Sequence, residues 1–240
     1  MKINPETRYQ DLALYVKEHL DFISIDQVKF TVIGMAFGMY DLPLLLGLMY
    51  ILEWEFLWMV SPFVVIVHVW AIRLAIKNPY STQLEMILYM GIWGISLAVT
   101  LFIMMIWILY YTFYMSPILL CVMTIFPILN IYFLVKYQIN KFLNDPTIER
   151  KESNQYKHMW LAHASPGIGY LIYQIVMGRN VLDDIISFVV MYIFFIFGVY
   201  AAAKFLHRYF FMKANMKYVI YQPHGNKKKE KLIKQGVEIK

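Results

Sequence analysis

Asp41 and His68 are the side chains whose types and spacing could do chemistry in this chain. Each lies inside a long apolar run, and the short segment Glu53-Trp54-Glu55 joins the two runs. Asp41 precedes Trp54 by 13 residues and His68 follows it by 14. If both runs are helical, a rise of about 1.5 Å per residue places each side chain roughly 20 Å from the turn. A tight hairpin then brings a carboxylate and an imidazole to one depth near a bilayer midplane. The carboxylate raises the proton affinity of a neighbouring imidazole, while burial lowers it. Such a pair is suited to binding or passing a proton at physiological pH. An ionised carboxylate at that depth costs about 2.5–3.5 kcal/mol on insertion scales, so Asp41 needs a partner or a proton. A plain structural hydrogen bond, or capping of backbone freed by Pro43, would meet the same need. Asn130 and Gln174 are polar groups in two further apolar runs. Each is expected either to join this network or to make an ordinary hydrogen bond between helices, worth roughly 1 kcal/mol.

The elements that position these groups follow from composition and charge. Of the 240 residues 60% are hydrophobic and 16% are charged. Soluble domains usually hold roughly 45–50% apolar and about 25% charged residues, so this balance excludes an ordinary soluble domain. The length suffices for six spans of about 20 residues with short connections. The apolar runs predict spans at 30–52, 56–76, 86–108, 113–135, 159–177 and 185–203. The fifth is the least apolar, because it holds His163, Ser165, Pro166, Gly167, Gly169 and Gln174.

Positive charge selects six spans over five. With both ends on the cytoplasmic side, 21 of the 22 Lys and Arg residues fall there, and only Arg179 is outside. Cationic flanks of short loops resist translocation, so a five-span path with its basic tail outside is disfavoured. The expected fold is therefore all-α: a polytopic bundle of six transmembrane helices, N-in and C-in. Residues 1–29 form a cytoplasmic segment, 30–203 the bundle with a cytoplasmic loop at 136–158, and 204–240 a basic tail. Charge in the first 29 residues and the lack of a short apolar core argue against a cleavable signal peptide there. A bacterial cytoplasmic membrane is the expected location.

Leu12, Val16, Leu20 and Ile23 recur at near-helical spacing, which reads either as a short amphipathic helix at the cytoplasmic interface or as a plain membrane-entry segment. The tail holds ten basic and two acidic residues. Lys227, Lys228, Lys229, Lys231 and Lys234 are its expected contacts with anionic lipid headgroups, worth about 1 kcal/mol each near the surface. Nucleic-acid binding would need a reading element beside this charge, and none is visible.

Gly34-x-x-x-Gly38 predicts a close-packing helix face. Prolines at 43, 62, 117 and 166 interrupt four runs. Residues 40–49 and 114–123 share five identities in ten, a faint echo that would make an inverted three-plus-three repeat. Cys121 stands alone, so no disulfide forms within the chain, and it reads as a small packing residue. His158 and His163 are five apart, and the topology puts Asp183 and Asp184 a membrane thickness away, so no metal site is expected. No catalytic or nucleotide-binding motif is present, and neither an enzyme nor a cofactor is expected.

Two kinds of function fit these observations. One is a non-enzymatic membrane protein that binds an unidentified protein partner in or beside the bilayer, as toxin-immunity proteins and secretion accessories do. Small size and tiny outer turns favour it. The other is a small transporter or channel, monomeric or oligomeric, with Asp41 and His68 on its pathway.

Overall fold

The computed structural model describes residues 2–22, 24–48, 53–112, 117–143, 145–148 and 180–220. Every regular element among them is helical. Helix α1 is Leu14–Leu20 and α2 is Ile25–Ile33. A π-helical segment, Gly34–Tyr40, leads from α2 into α3, Asp41–Leu48. Helix α4 is Trp54–Ile76 and α5 is Gln83–Trp107, which runs into a second π segment, Ile108–Thr112. Helix α6 is Pro117–Lys141 and α7 is Asn180–Ala214.

Four stretches are long and apolar enough to cross a membrane: Gln27–Leu45, Trp54–Ile76, Gln83–Tyr110 and Phe188–Ala214. They coincide with the first, second, third and last of the spans expected from sequence. Helix α6 covers most of the expected fourth span and runs on to Lys141. The expected fifth span, with Gln174, lies outside the described residues, as do His158, His163 and Lys227 to Lys234.

Helix α5 is the centre of the bundle. Met86, Tyr89, Met90, Trp93, Leu97, Leu101 and Met104 are all buried, and so are Gly91, Gly94, Ser96, Ala98 and Thr100. These positions run round the whole helix, as they must when neighbours cover every side. Helix α4 instead buries one stripe, Phe56, Val60, Val67, Ala71 and Leu74, and leaves Val65, Val69 and Ile72 exposed. Within α4, Pro62 has no N–H to give the Trp58 carbonyl one turn earlier. The Ser61 hydroxyl supplies that hydrogen bond at 3.2 Å.

The tightest helix crossing joins α5 to α7. A Cβ built on Gly94 would stand 2.6 Å from the Ala202 amide nitrogen and 2.8 Å from the Gly198 carbonyl oxygen. One built on Gly198 would stand 3.1 Å from Ala98 N and from Gly94 O. Gly94-x-x-x-Ala98 and Gly198-x-x-x-Ala202 thus lie backbone against backbone. In lipid, where apolar burial drives no association, such close packing is a main source of helix attraction.

At Gly34 and Gly38, where a close-packing face is expected, no such contact is made among the described residues. Nothing among the described residues lies within 4 Å of a Cβ built at either. The small-x-x-x-small pattern recurs in several helices, and among the described residues the α5–α7 copies are the ones that face each other. Pro117 opens the described part of α6, and residues 113–116 before it lie outside the described residues. Cys121 is exposed and not packed inside.

The N-terminal segment forms a second core. Leu12, Val16 and Leu20 are buried with Phe142 at the end of α6 and with Phe211 and Met212 of α7. The face expected to lie on the bilayer surface is therefore covered by protein. Arg208 of α7 secures it, donating from Nη2 to the Glu18 carbonyl at 3.1 Å and also to the Asp21 carbonyl. These are carbonyls at the open end of α1, where a cation is favoured. Asn215 accepts the Ile3 amide at 2.7 Å, and the Tyr218 hydroxyl donates to the Asn4 and Thr7 carbonyls. This docking explains why α7 continues as a helix past the expected boundary at Ala203.

Candidate functional site

Asp41 and His68 meet. His68 Nε2 lies 3.1 Å from Oδ1 and 3.1 Å from Oδ2 of Asp41. The other ring nitrogen, Nδ1, lies 2.8 Å from the Val64 carbonyl oxygen one turn earlier on α4. A carbonyl only accepts, so Nδ1 must carry a proton. The contact between Nε2 and the carboxylate then requires one more proton, held by one side or the other. The pair is either imidazolium with carboxylate or imidazole with carboxylic acid, and both forms have zero net charge. Removing the shared proton would set an imidazole lone pair against a carboxylate. This arithmetic resolves the cost of placing Asp41 inside an apolar span.

The surroundings are apolar and partly open. The side chains of His68 and Asp41 are 18% and 25% exposed. The imidazole makes T-shaped contacts with the rings of Phe37 and Tyr40, at 4.9 and 6.1 Å between centroids. Phe37, Leu42, Val65 and Val69 are exposed around the pair. The site therefore lies on the flank of the bundle, between the first and second long helices.

The backbone that carries Asp41 is unusual. Asp41 is the first residue after the π segment Gly34–Tyr40. Two features of sequence account for this segment. Pro43 gives no N–H to the turn before it, which loosens the helix there. Helix α5 then grips the loosened turn at both ends. Trp93 Nε1 donates to the Met35 carbonyl at 2.8 Å, and the Tyr40 hydroxyl is hydrogen-bonded to Thr100 Oγ1 at 2.8 Å. Trp93, Tyr40 and Thr100 are all buried.

Of the polar groups expected near the pair, Asn130 makes a helix–helix contact elsewhere. Its Nδ2 donates to the Tyr192 hydroxyl of α7. Gln174 lies outside the described residues. Trp93, Tyr40, Thr100 and the Val64 carbonyl were not singled out from sequence. One signal pointed to Trp93: tryptophans in membrane proteins concentrate at the interface, and Trp93 sits in mid-span. A mid-span indole needs an internal acceptor.

Two other features lie apart from the pair. At the Lys77–Thr82 turn between α4 and α5, Glu85 accepts from Trp70 Nε1 at 3.0 Å and pairs with Arg73 at 3.2 Å. An apolar cavity of about 240 Å³ opens between α5, α6 and α7, lined by Phe102, Ile106, Thr124, Pro127, Phe188 and Tyr192 among others. Neither Asp41 nor His68 lines it. Among the described residues no three His, Cys, Asp or Glu side chains converge as a metal site would require.

No family model, curated protein or solved structure matches this chain. Its function is therefore argued from its own residues.

Proposed function

We propose that this chain is a six-span protein of the cytoplasmic membrane, with both termini inside, that moves protons or proton-coupled ions through the Asp41–His68 pair. One observation carries the reading: His68 Nδ1 lies 2.8 Å from the Val64 carbonyl and Nε2 3.1 Å from Asp41, a geometry that calls for a single proton between Nε2 and the carboxylate. A neutral pair that binds one proton inside an apolar span is the chemistry a proton relay needs. The near-total confinement of Lys and Arg to one side supports the orientation. The Lys227 to Lys234 run adds attraction to anionic headgroups on that side.

The test is flux in proteoliposomes with paired variants. Asp41→Asn and His68→Gln should each abolish proton flux while the folded amount is kept. Full flux through the double variant would overturn the relay.

A second reading is favoured by the pair's position. A protonatable pair on an exposed flank, rather than around an inner cavity, can complete a contact with a partner inside the bilayer. That is the non-enzymatic, partner-binding function of the toxin-immunity or secretion-accessory kind. Under this reading Asp41→Asn lowers stability only, and loss of function maps to exposed flank positions such as Phe37, Leu42 and Val69.

A further inference from the structure

We propose that Trp93 is a positioning residue: through the Met35 carbonyl it holds the π turn open and so aims Asp41 at His68. The inference rests on reading that pair as the working site, but its central measurement does not require transport.

In a π turn the carbonyl of residue i accepts the amide of residue i+5, so Met35 is paired with Tyr40. In an ordinary α turn Met35 would pair with Met39. Changing one register for the other shifts every later residue by one position, a rotation of about 100° about the helix axis. Asp41 immediately follows the segment, so the register decides whether its carboxylate faces α4 or turns away.

Helix α5 reads this register directly. Trp93 Nε1 bonds the Met35 carbonyl at 2.8 Å, and Thr100 bonds the Tyr40 hydroxyl at 2.8 Å. Met35 and Tyr40 are the two ends of one π turn, and Trp93 and Thr100 are seven residues apart, two turns along α5. The two contacts therefore hold the segment at both ends in the register it adopts. The indole donor is 1% exposed, so losing its acceptor would leave a buried N–H unsatisfied. Among the described residues nothing lies within 4 Å of a Cβ built at Gly34 or Gly38, both inside the segment. Pi segments inside α-helices are frequent at functional sites, and here the register is held by a side chain that never touches the reacting groups.

The experiment uses the full chain in lipid with ¹⁵N-labelled histidine, following the His68 ring nitrogens through a pH titration. Comparison with His68→Gln identifies the signals, and Asp41→Asn gives their position without the carboxylate. Trp93→Phe keeps an aromatic ring and removes the N–H. It should move the His68 signals at least halfway toward the Asp41→Asn position. Thr100→Val should do the same and carries the test if Trp93→Phe does not fold. Trp58→Phe, at an exposed indole on α4, should leave His68 unchanged. His68 signals at the wild-type position in folded Trp93→Phe or Thr100→Val protein would overturn the inference, whatever the flux. Shifted signals in a protein whose wild type carries no flux would uphold Trp93 as a positioning residue and remove the transport reading.

Discussion

The imidazoles of His19 and His207 meet nitrogen to nitrogen at 3.0 Å, across 188 residues of sequence. His19 also stacks on Phe142, with ring centroids 4.1 Å apart. One contact thus ties α1 to the ends of α6 and α7, on the side where the basic residues gather.

That contact makes stability depend on pH. Burial, then His207, and then Arg208, Lys141 and Lys204 push the His19 pKa down from 6.5 to about 2. The folded state keeps His19 neutral where the unfolded chain would protonate it. Its contribution is fully present above about pH 6.5 and is lost progressively as the pH falls below that value, at about 1.4 kcal/mol per pH unit. Denaturation in detergent should show this slope between pH 6.5 and pH 5. His19→Phe should make it shallower, leaving the part due to His207, which burial also holds below its ordinary pKa, and equal slopes for both proteins would contradict the assignment.

The α5–α7 crossing should be the least tolerant place in the bundle. Gly94→Ala must push apart two backbones that approach within 2.6 Å of the added atom. A loss of about 1–3 kcal/mol is expected, as for other overpacked cores. Gly34→Ala meets nothing within 4 Å among the described residues and should be neutral or slightly stabilising, since Ala is favoured over Gly in helices by up to about 1 kcal/mol. Thermal stability of the two variants should therefore move apart. A Gly34→Ala loss as large as that of Gly94→Ala would contradict the packing described.

Asn130 and Tyr192 should be coupled. A double-mutant cycle of Asn130→Leu and Tyr192→Phe should give an interaction of about 0.6–1.7 kcal/mol, the range for hydrogen bonds between membrane helices. Strict additivity of the two losses would mean that the contact between α6 and α7 contributes nothing.

How much of this was legible in sequence depends on which forces leave a pattern. The apolar runs and the symmetric spacing of Asp41 and His68 about Trp54 follow from length and rise per residue alone. They located four membrane-length helices and brought the pair together. The packing faces were hidden for a physical reason. A helix in lipid is apolar on its buried side and its exposed side alike, so hydrophobic periodicity does not mark contacts. Gly34-x-x-x-Gly38 and Gly94-x-x-x-Ala98 therefore look equivalent, and only the second is packed among the described residues. The N-terminal helix misled in the same way, since Leu12, Val16 and Leu20 could face lipid or protein equally well. The π segment was invisible because register responds to Pro43 and to two side chains on another helix.

The central claim is that Asp41 and His68 hold a proton that crosses the membrane with their help. The direct measurement is proton flux into proteoliposomes under an imposed potential, wild type beside Asp41→Asn, with equal folded protein confirmed in both. The account predicts flux in the wild type and none above empty vesicles in the variant. Equal flux in both proteins, or none in well-folded wild type, would contradict it and leave the pair as a structural bond between the first two long helices.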